Sequence, residues 1–153
     1  MGRPALGRPS RVATFAVACL VAAPVAGSGA AAQEAVEAAA GAFARQWAGG
    51  DLEQIGDALH ADGVRVSLAG ERANLVSVRQ ALAGLREFHA GHELGGATVA
   101  RVAEVGGVPL RAFAEISWSA SAAGTSEPSE YLIFVGFIRE DEAWRITEIR
   151  VFP

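Results

Sequence analysis

Lysine is missing from this sequence of 153 residues, and cysteine and tyrosine occur once each, as Cys19 and Tyr131. Because a disulfide needs two cysteines, the chain cannot form one internally, and its stability must come from a packed core. Arginine supplies all 13 of the permanently charged basic side chains. We attribute this bias, like the abundance of alanine and glycine, to the coding preference of the genome rather than to function.

A hydrophobic run long enough to cross a bilayer is also lacking near the start of the chain. Residues 12–26 carry no charge, but this run is too short to span a membrane comfortably, and it contains the helix breaker Pro24. Cys19 lies in the middle of the run, with Ala16 where a lipoprotein signal usually carries leucine. A transmembrane anchor and a lipidated cysteine are therefore both disfavoured.

The same segment fits a cleavable signal peptide. Three arginines precede the apolar run, and Ala30 and Ala32 follow it with the small side chains that signal peptidase requires. The pattern predicts a signal peptide over residues 1–32, cleaved between Ala32 and Gln33. The mature domain, residues 33–153, is expected to be exported, either periplasmic or secreted.

Positive charge is scarce in the predicted mature domain. Removing residues 1–32 takes away three of the 13 arginines and none of the 17 acidic residues, so the formal net charge falls from −4 to −7. Such a surface repels phosphate backbones and anionic headgroups. We expect no nucleic-acid partner and no stable membrane anchor, and about 120 residues suffice for one domain with a substantial core.

The sequence carries no recognisable metal or cofactor motif. His89, His92 and Glu93 lie together in HAGHE, but Gly91 argues against a shared helical face, and no third ligand is close in sequence. We interpret these residues as a solvated loop, and His60 as a surface cap at a helix end. We therefore expect no metal and no cofactor.

Apolar spacing predicts three helices. The first ends at Gly49–Gly50, and the second begins after Asp51, whose carboxylate is expected to cap it. Ser77 and Gln80 form a capping box that opens a third helix over about 78–88. The predicted core positions at three- and four-residue steps are Val36, Ala40, Phe43, Trp47, Leu52, Ile55, Leu59, Val78, Leu82, Leu85 and Phe88.

A period of two predicts strands elsewhere. VRVSL, residues 64–68, is a short strand, and Gly106–Gly107 joins two longer strands in a hairpin. YLIFVGFI, residues 131–138, is apolar on both faces and is expected to be a central strand covered on each side. The last strand, WRITEIRVF, can bury all its apolar residues on one face only if a bulge lies near Thr147–Glu148.

The order helix, helix, strand, helix and four long strands is that of an α+β domain. WAGGDLEQIGDALHADGVRVSL, the helix after it and FVGFIREDEAWRITEIRVF together resemble the nuclear transport factor 2-like (NTF2-like, SnoaL-like) superfamily, and the chain is also similar to small exported bacterial domains of unknown function. The resemblance covers nearly the whole mature chain and implies a cone-shaped fold, with three N-terminal helices packed on a curved, mainly antiparallel sheet. It does not fix a function, because this fold hosts isomerases, dehydratases, hydrolases and binding modules.

The resemblance allows a check against the ketosteroid isomerases of this superfamily. Their oxyanion-donating tyrosine falls on Phe43, which has no donor. Their general-base aspartate falls on Leu68, or on Ser67 if the register slips by one residue, and neither is a carboxylate. The strand that would carry their second acid contains none. We therefore assign no catalytic residue.

The expected cone needs a lining. On the strand that begins near Leu110, the residues Arg111, Phe113 and Glu115 share one face, which lines a half-polar pocket, faces water or meets a second subunit. Trp47 either packs in the core or stacks on an apolar ligand. The candidate lining residues are Phe43, Trp47, Leu68, Arg111, Phe113, Glu115 and Tyr131.

Three functions remain open at this level. We favour an exported, non-catalytic domain whose apolar cavity binds a small hydrophobic molecule or is filled by side chains. An enzyme of the lyase, isomerase or hydrolase type would instead use an unrecognised polar pair in the cavity, such as Arg111 and Glu115. An assembly module would form a homodimer through the open face of the sheet.

Overall fold

The computed structural model describes Gly2 and residues 27–153, so the predicted basic start and apolar run lie outside the described residues. Within the described part, no helix is long and apolar enough to cross a membrane. The elements are α1 Gly27–Gly49, α2 Leu52–Ala58, β1 Val64–Ser67, β2 Asn74–Val76, α3 Val78–Ala90, β3 His92–Gly106, β4 Arg111–Ala122, β5 Pro128–Glu140 and β6 Ala143–Phe152.

The six strands form one sheet in the order β2-β1-β6-β5-β4-β3. Only β1 and β6 run parallel, and every other neighbouring pair is antiparallel, so the predicted α+β class with a mainly antiparallel sheet is confirmed. Sequence reasoning missed β2, because three residues with two exposed side chains show no alternation. Since β1 and β2 precede α3, the three helices are not consecutive at the start of the chain.

Helix α1 buries the predicted apolar stripe. Val36, Ala40, Phe43 and Trp47 are all buried and belong to one hydrophobic core shared by the helices and the sheet. The helix also runs through the predicted cleavage junction, where Ala32 is buried.

The caps of the two later helices differ from each other. Ser77 has an extended backbone, with ψ 157°, and forms the predicted reciprocal capping box with Gln80. Asp51 has ψ 63°, which is not the extended conformation that directs an N-cap side chain at the first turn, and its carboxylate makes no capping bond. The predicted role of the Asp51 carboxylate was wrong; only its backbone carbonyl accepts, from the amide of Ile55 at 3.2 Å.

The predicted bulge in the last strand is confirmed. In β6, Glu148 pairs with Gly136, whereas Ile146 pairs with the next residue of β5, Phe137, so Thr147 has no partner of its own in the register. The hydroxyl of Thr147 donates to the carbonyl of Gly136 at 3.3 Å. The extra residue brings the apolar side chains on both sides of it to the helix-facing side, where Trp144, Ile146, Ile149 and Val151 are all buried.

Strand β5 is central, as predicted, but only one of its faces is covered. Ile133, Val135 and Phe137 are buried beneath the helices. On the other face Phe134 is half-buried and Leu132 is 42% exposed. The expectation that both faces are covered was wrong for the single chain, because all three described helices pack on the face that carries Ile133, Val135 and Phe137.

The long edge strand β3 is irregular. Its pairing with β4 shifts register at three points, the first between Leu94 and Ala97. Gly95 lies in this shift, and a Cβ atom there would stand 2.1 Å from the carbonyl oxygen of Ser119. Such breaks blunt an edge strand that could otherwise pair with other chains.

We expect Gly95→Ala to destabilise the domain by about 1–3 kcal/mol, because the backbones of β3 and β4 must separate to admit the methyl group. Gly96→Ala is the matched control, since a Cβ at Gly96 meets nothing within 4 Å. Urea denaturation of both variants would test this, and equal stabilities would contradict it.

Candidate functional site

Aromatic side chains fill the space between α1, the end of α3 and the sheet. Trp47 of α1 meets Trp118 of β4 edge to face, with 5.6 Å between ring centroids, and Phe43 stacks 5.5 Å from Trp47. Phe88 of α3 lies 5.9 Å from Trp118. Both indoles are fully buried. Side chains thus occupy the helix side of the sheet, where an apolar cavity was expected.

The seven predicted lining residues do not surround one cavity. Tyr131 packs on Trp118, at 5.1 Å, on the same side of the sheet as Phe43 and Trp47. Leu68 lies beyond the end of β1, beside a depression of about 190 Å³ between the β1–β2 hairpin and α3. The remaining three residues lie on the opposite face of the sheet; they are Arg111, Phe113 and Glu115. Along β4 they alternate with Ala112 and Ala114, which are buried on the helix side.

The residues that the resemblance aligned with the isomerase base have packing roles. The Cδ1 atom of Leu68 lies 3.9 Å from the position that a Cβ atom would take at Gly84 of α3. The buried hydroxyl of Ser67 donates to the carbonyl of Glu71 and so holds the loop after β1. Neither side chain is a carboxylate, so neither could serve as the general base that the resemblance would place there.

The face of the sheet opposite the helices carries a shallow depression of about 400 Å³, which we call the outer-face depression. Its floor includes Phe113 and Phe134, which stack with centroids 5.4 Å apart. The guanidinium of Arg101 lies 5.2 Å from the centre of the Phe113 ring, a cation–π contact. Arg65 and Arg111 are among its lining residues. Glu148 also lines it, so the outer face is a mixed surface of aromatic rings and charges of both signs.

His89 is buried among the tryptophans, contrary to the predicted solvated loop. Its side chain lies 4.5 Å from Trp47 and 6.0 Å from Trp118 between ring centroids, and only 7% of the residue is exposed. Neither ring nitrogen has a hydrogen-bond partner. Burial, and secondarily the nearby His92, lowers the pKa of His89 to about 4. A neutral imidazole is thus held in an apolar setting.

His92 and Tyr131 form a second polar feature beside the aromatic rings. The Nδ1 atom of His92 lies 2.8 Å from the carbonyl oxygen of Phe88, and its Nε2 atom lies 3.2 Å from the hydroxyl of Tyr131. Both side chains are half-buried. This pair was not predicted, because 39 residues separate its members and only the sheet brings them together.

His60 also differs from the prediction of a surface cap. Its Nε2 atom lies 2.9 Å from a carboxylate oxygen of Glu140, and its Nδ1 atom accepts from the amide of Asp62 at 3.3 Å. His60 therefore ties the loop after α2 to the β5–β6 hairpin rather than capping the helix.

Comparison with known proteins gives a consistent architecture. A ketosteroid isomerase-like protein from Erwinia carotovora atroseptica matches with TM-score 0.67 at 14% identity, over 78% of this chain and 94% of that one. A putative dehydratase of the NTF2-like family from Streptomyces avermitilis matches with TM-score 0.65 at 16% identity, over 81% and 96%. A DUF4783 family protein from Bacteroides fragilis matches with TM-score 0.60 at 16% identity, over 72% and 93%.

The chain has the nuclear transport factor 2-like fold. No protein-family model and no curated protein matches its sequence. At such low identities the structural likeness establishes the NTF2-like fold alone. Function must therefore be argued from the side chains of this chain.

The burial of His89 had a signal in the sequence. Ala81, Leu85 and His89 follow one another at four-residue steps, and these are the buried residues of α3. Extending the series by one step beyond Leu85 would have placed His89 on the core face. This helix was predicted to end at about residue 88, whereas α3 continues to Ala90, so His89 was not treated as a helical residue.

We expect His89 to make the fold sensitive to acid. Its pKa is lower in the folded chain, at about 4, than its ordinary value of 6.5, so the unfolded chain binds more protons between these values. The stability is fully present above pH 6.5 and is lost as the pH falls toward 4, by about 2 kcal/mol between pH 7 and pH 5.

Urea denaturation at pH 7 and pH 5 of the natural chain and of His89→Phe would test this. The phenylalanine variant should lose distinctly less stability on acidification, because it has no imidazole to protonate. Identical losses in both chains would show that other groups control the acid response.

Proposed function

We propose that this chain is an exported domain that acts by binding through the outer face of its sheet, and that its partner there is a second copy of itself. The observation that carries the proposal is β5, which is apolar on both faces while its single-chain structure covers only one. An antiparallel strand with one face in water normally alternates apolar and polar side chains, and β5 has no polar side chain on its outer face from Leu132 to Ile138. A second chain would supply the missing cover.

The exposed apolar side chains support a broad contact rather than a small pocket. Leu132, Phe152 and Val105 are 42%, 40% and 66% exposed, and Phe113 and Phe134 lie half-buried. Leu132 pairs directly with Phe152 in the sheet. A contiguous apolar surface rimmed by polar groups is typical of a protein contact.

The charges of the outer face suit contact with an identical surface. Arg101 and Glu115 are register partners on β3 and β4, and Arg65 and Glu148 are partners on β1 and β6. A two-fold axis brings each patch against a copy of itself, so a self-complementary face needs both signs of charge. The alternation of arginine and glutamate meets this requirement.

The packed interior supports binding on the outer face rather than isomerase chemistry inside the cone. The resemblance aligns the isomerase donor and base with Phe43 and Leu68, which supply neither group, and Trp47 and Trp118 fill the space beside Phe43. The small hydrophobic ligand expected from the resemblance would have to displace these rings. The net charge of −7 for the predicted mature domain argues against nucleic acid or an anionic membrane as the partner.

We expect Arg111→Glu to weaken the dimer at least about tenfold, because the added charges repel across a two-fold contact. Arg111 is exposed, so the fold should tolerate the change. Native mass spectrometry and light scattering over a dilution series would report the dissociation constant.

Arg79→Glu is the matched control, because it makes the same charge change at an exposed position of α3, on the other side of the sheet. It should dissociate like the natural chain. A monomeric natural chain at every concentration, or an equal weakening by both variants, would overturn the proposed interface.

We further propose that export is accompanied by cleavage between Ala32 and Gln33. Ala32→Leu should block processing, because signal peptidase requires a small residue at that position, whereas Ala31→Leu should leave it intact. Intact mass measurement of the exported chain would show whether it begins at Gln33. Normal processing of the Ala32→Leu variant would place the cleavage elsewhere.

A further inference from the structure

We propose that Tyr131 and His92 form a reactive pair, in which His92 takes the phenolic proton and Tyr131 attacks an acyl- or sulfonyl-type electrophile. The pair lies on the helix side of the sheet, because Tyr131 packs on the buried ring of Trp118. The reactive pair is thus separate from the outer face, and its existence does not depend on dimer formation.

The hydrogen bonds of His92 define which nitrogen is basic. The carbonyl oxygen of Phe88 can only accept a hydrogen bond, so the Nδ1 atom, 2.8 Å away, must carry the proton. In the neutral ring Nε2 then holds a lone pair. The hydroxyl of Tyr131, 3.2 Å from Nε2, is the donor of that bond.

The position of the imidazole is fixed from two sides. Phe88 belongs to the last turn of α3, whose carbonyls lack helical partners, and its carbonyl also accepts from the amide of Gly91 at 3.2 Å. The His92 ring lies 4.5 Å from the Phe88 ring and meets the Tyr131 ring edge to face at 5.5 Å. Phe88 is therefore a positioning residue for the base.

A carbonyl, an imidazole and a hydroxyl joined in this order by hydrogen bonds form an arrangement that activates nucleophiles in proteins. A nucleophile needs a base within hydrogen-bond reach, and the base needs a third group that orients it. Here Tyr131, His92 and the Phe88 carbonyl supply these parts in order. Because Tyr131 and His92 are only half-buried, a small electrophile can approach from solvent.

The reaction balances without a cofactor. The phenolic oxygen of Tyr131 forms a bond to the acyl carbon or the sulfonyl sulfur, and the bond from that atom to its leaving group breaks. The leaving group departs with the electron pair of the broken bond, and the phenolic proton passes to Nε2 of His92. The products are an O-acyl or O-sulfonyl tyrosine, an imidazolium and the released anion.

The composition of the chain makes the proposal directly testable. Tyr131 is the only tyrosine, lysine is absent, and the one cysteine, Cys19, lies within the predicted signal peptide. An electrophile that reacts with phenols, amines and thiols therefore meets few competing side chains in the mature chain. Peptide mass spectrometry separates a label on Tyr131 from one on the N-terminal amine.

The purified exported chain would be incubated with phenylmethanesulfonyl fluoride, and the labelling rate of Tyr131 would be compared with that of N-acetyltyrosinamide. We expect labelling of Tyr131 at least about tenfold faster than the free amide, and abolition of that label in Tyr131→Phe. Labelling no faster than the free amide would overturn the proposal.

The variants His92→Gln and His92→Phe distinguish a base from a structural contact. A glutamine oxygen can still accept the tyrosine hydrogen bond but is not basic. We expect both variants to lose at least about tenfold in labelling rate while thermal unfolding shows them folded. If His92→Gln is labelled at the natural rate, His92 only holds Tyr131 in place, and the proposal fails.

Glu140→Gln is the control for a histidine contact elsewhere. It alters the contact of His60, which lies in the loop after α2 rather than beside Tyr131. Its labelling rate should equal that of the natural chain, and a similar loss in this variant would attribute the effect to general destabilisation and overturn the assignment.

Discussion

The contact between Trp47 and Trp118 is the constraint on which the rest of the structure depends. It joins α1 to β4, the strand next to the edge strand β3, and an edge-to-face pair of this kind contributes about 0.5–1.5 kcal/mol beyond the burial of its area. Its larger effect is volumetric, because two fully buried indoles, with Phe43 and Phe88 against them, fill the helix side of the sheet. With this interior, the helix side of the sheet has little room for a bound ligand.

A filled interior gives the two faces of the sheet different roles. The bulge at Thr147 lets β6 place all its large apolar residues under the helices, and the same shift leaves Glu148 opposite Gly136 on the outer face. There the missing side chain of Gly136 helps to form the depression beside Phe134. The irregularity that completes the core thus also shapes the surface that we assign to a second chain.

Much of this fold could be predicted from local patterns, because helix stripes, capping boxes and glycine turns depend on neighbouring residues. The stripe ending at Trp47, the Ser77–Gln80 cap and the Thr147 bulge were all predicted correctly. The candidate site was harder to predict from the sequence. Alternation showed that Arg111 and Glu115 share a face but not which face the helices cover, and the pairing of His92 with Tyr131 depends on strand register over 39 residues. The Asp51 cap failed for a local reason, because its backbone turns away from the extended conformation.

The different surroundings of His89 and His92 follow from where α3 ends. His89 is still helical and follows Ala81 and Leu85 on the core face, so its ring enters the aromatic interior, where no polar partner reaches it. Gly91 then ends the helix, and His92 starts β3 with its Nδ1 atom against the carbonyl of Phe88. At this boundary polar groups are again paired, and the side chains of His92 and Tyr131 are half-buried. The chemistry we infer therefore lies at the margin of the packed core. Among the histidines of the described residues, His92 alone has both an orienting carbonyl and a hydroxyl within reach.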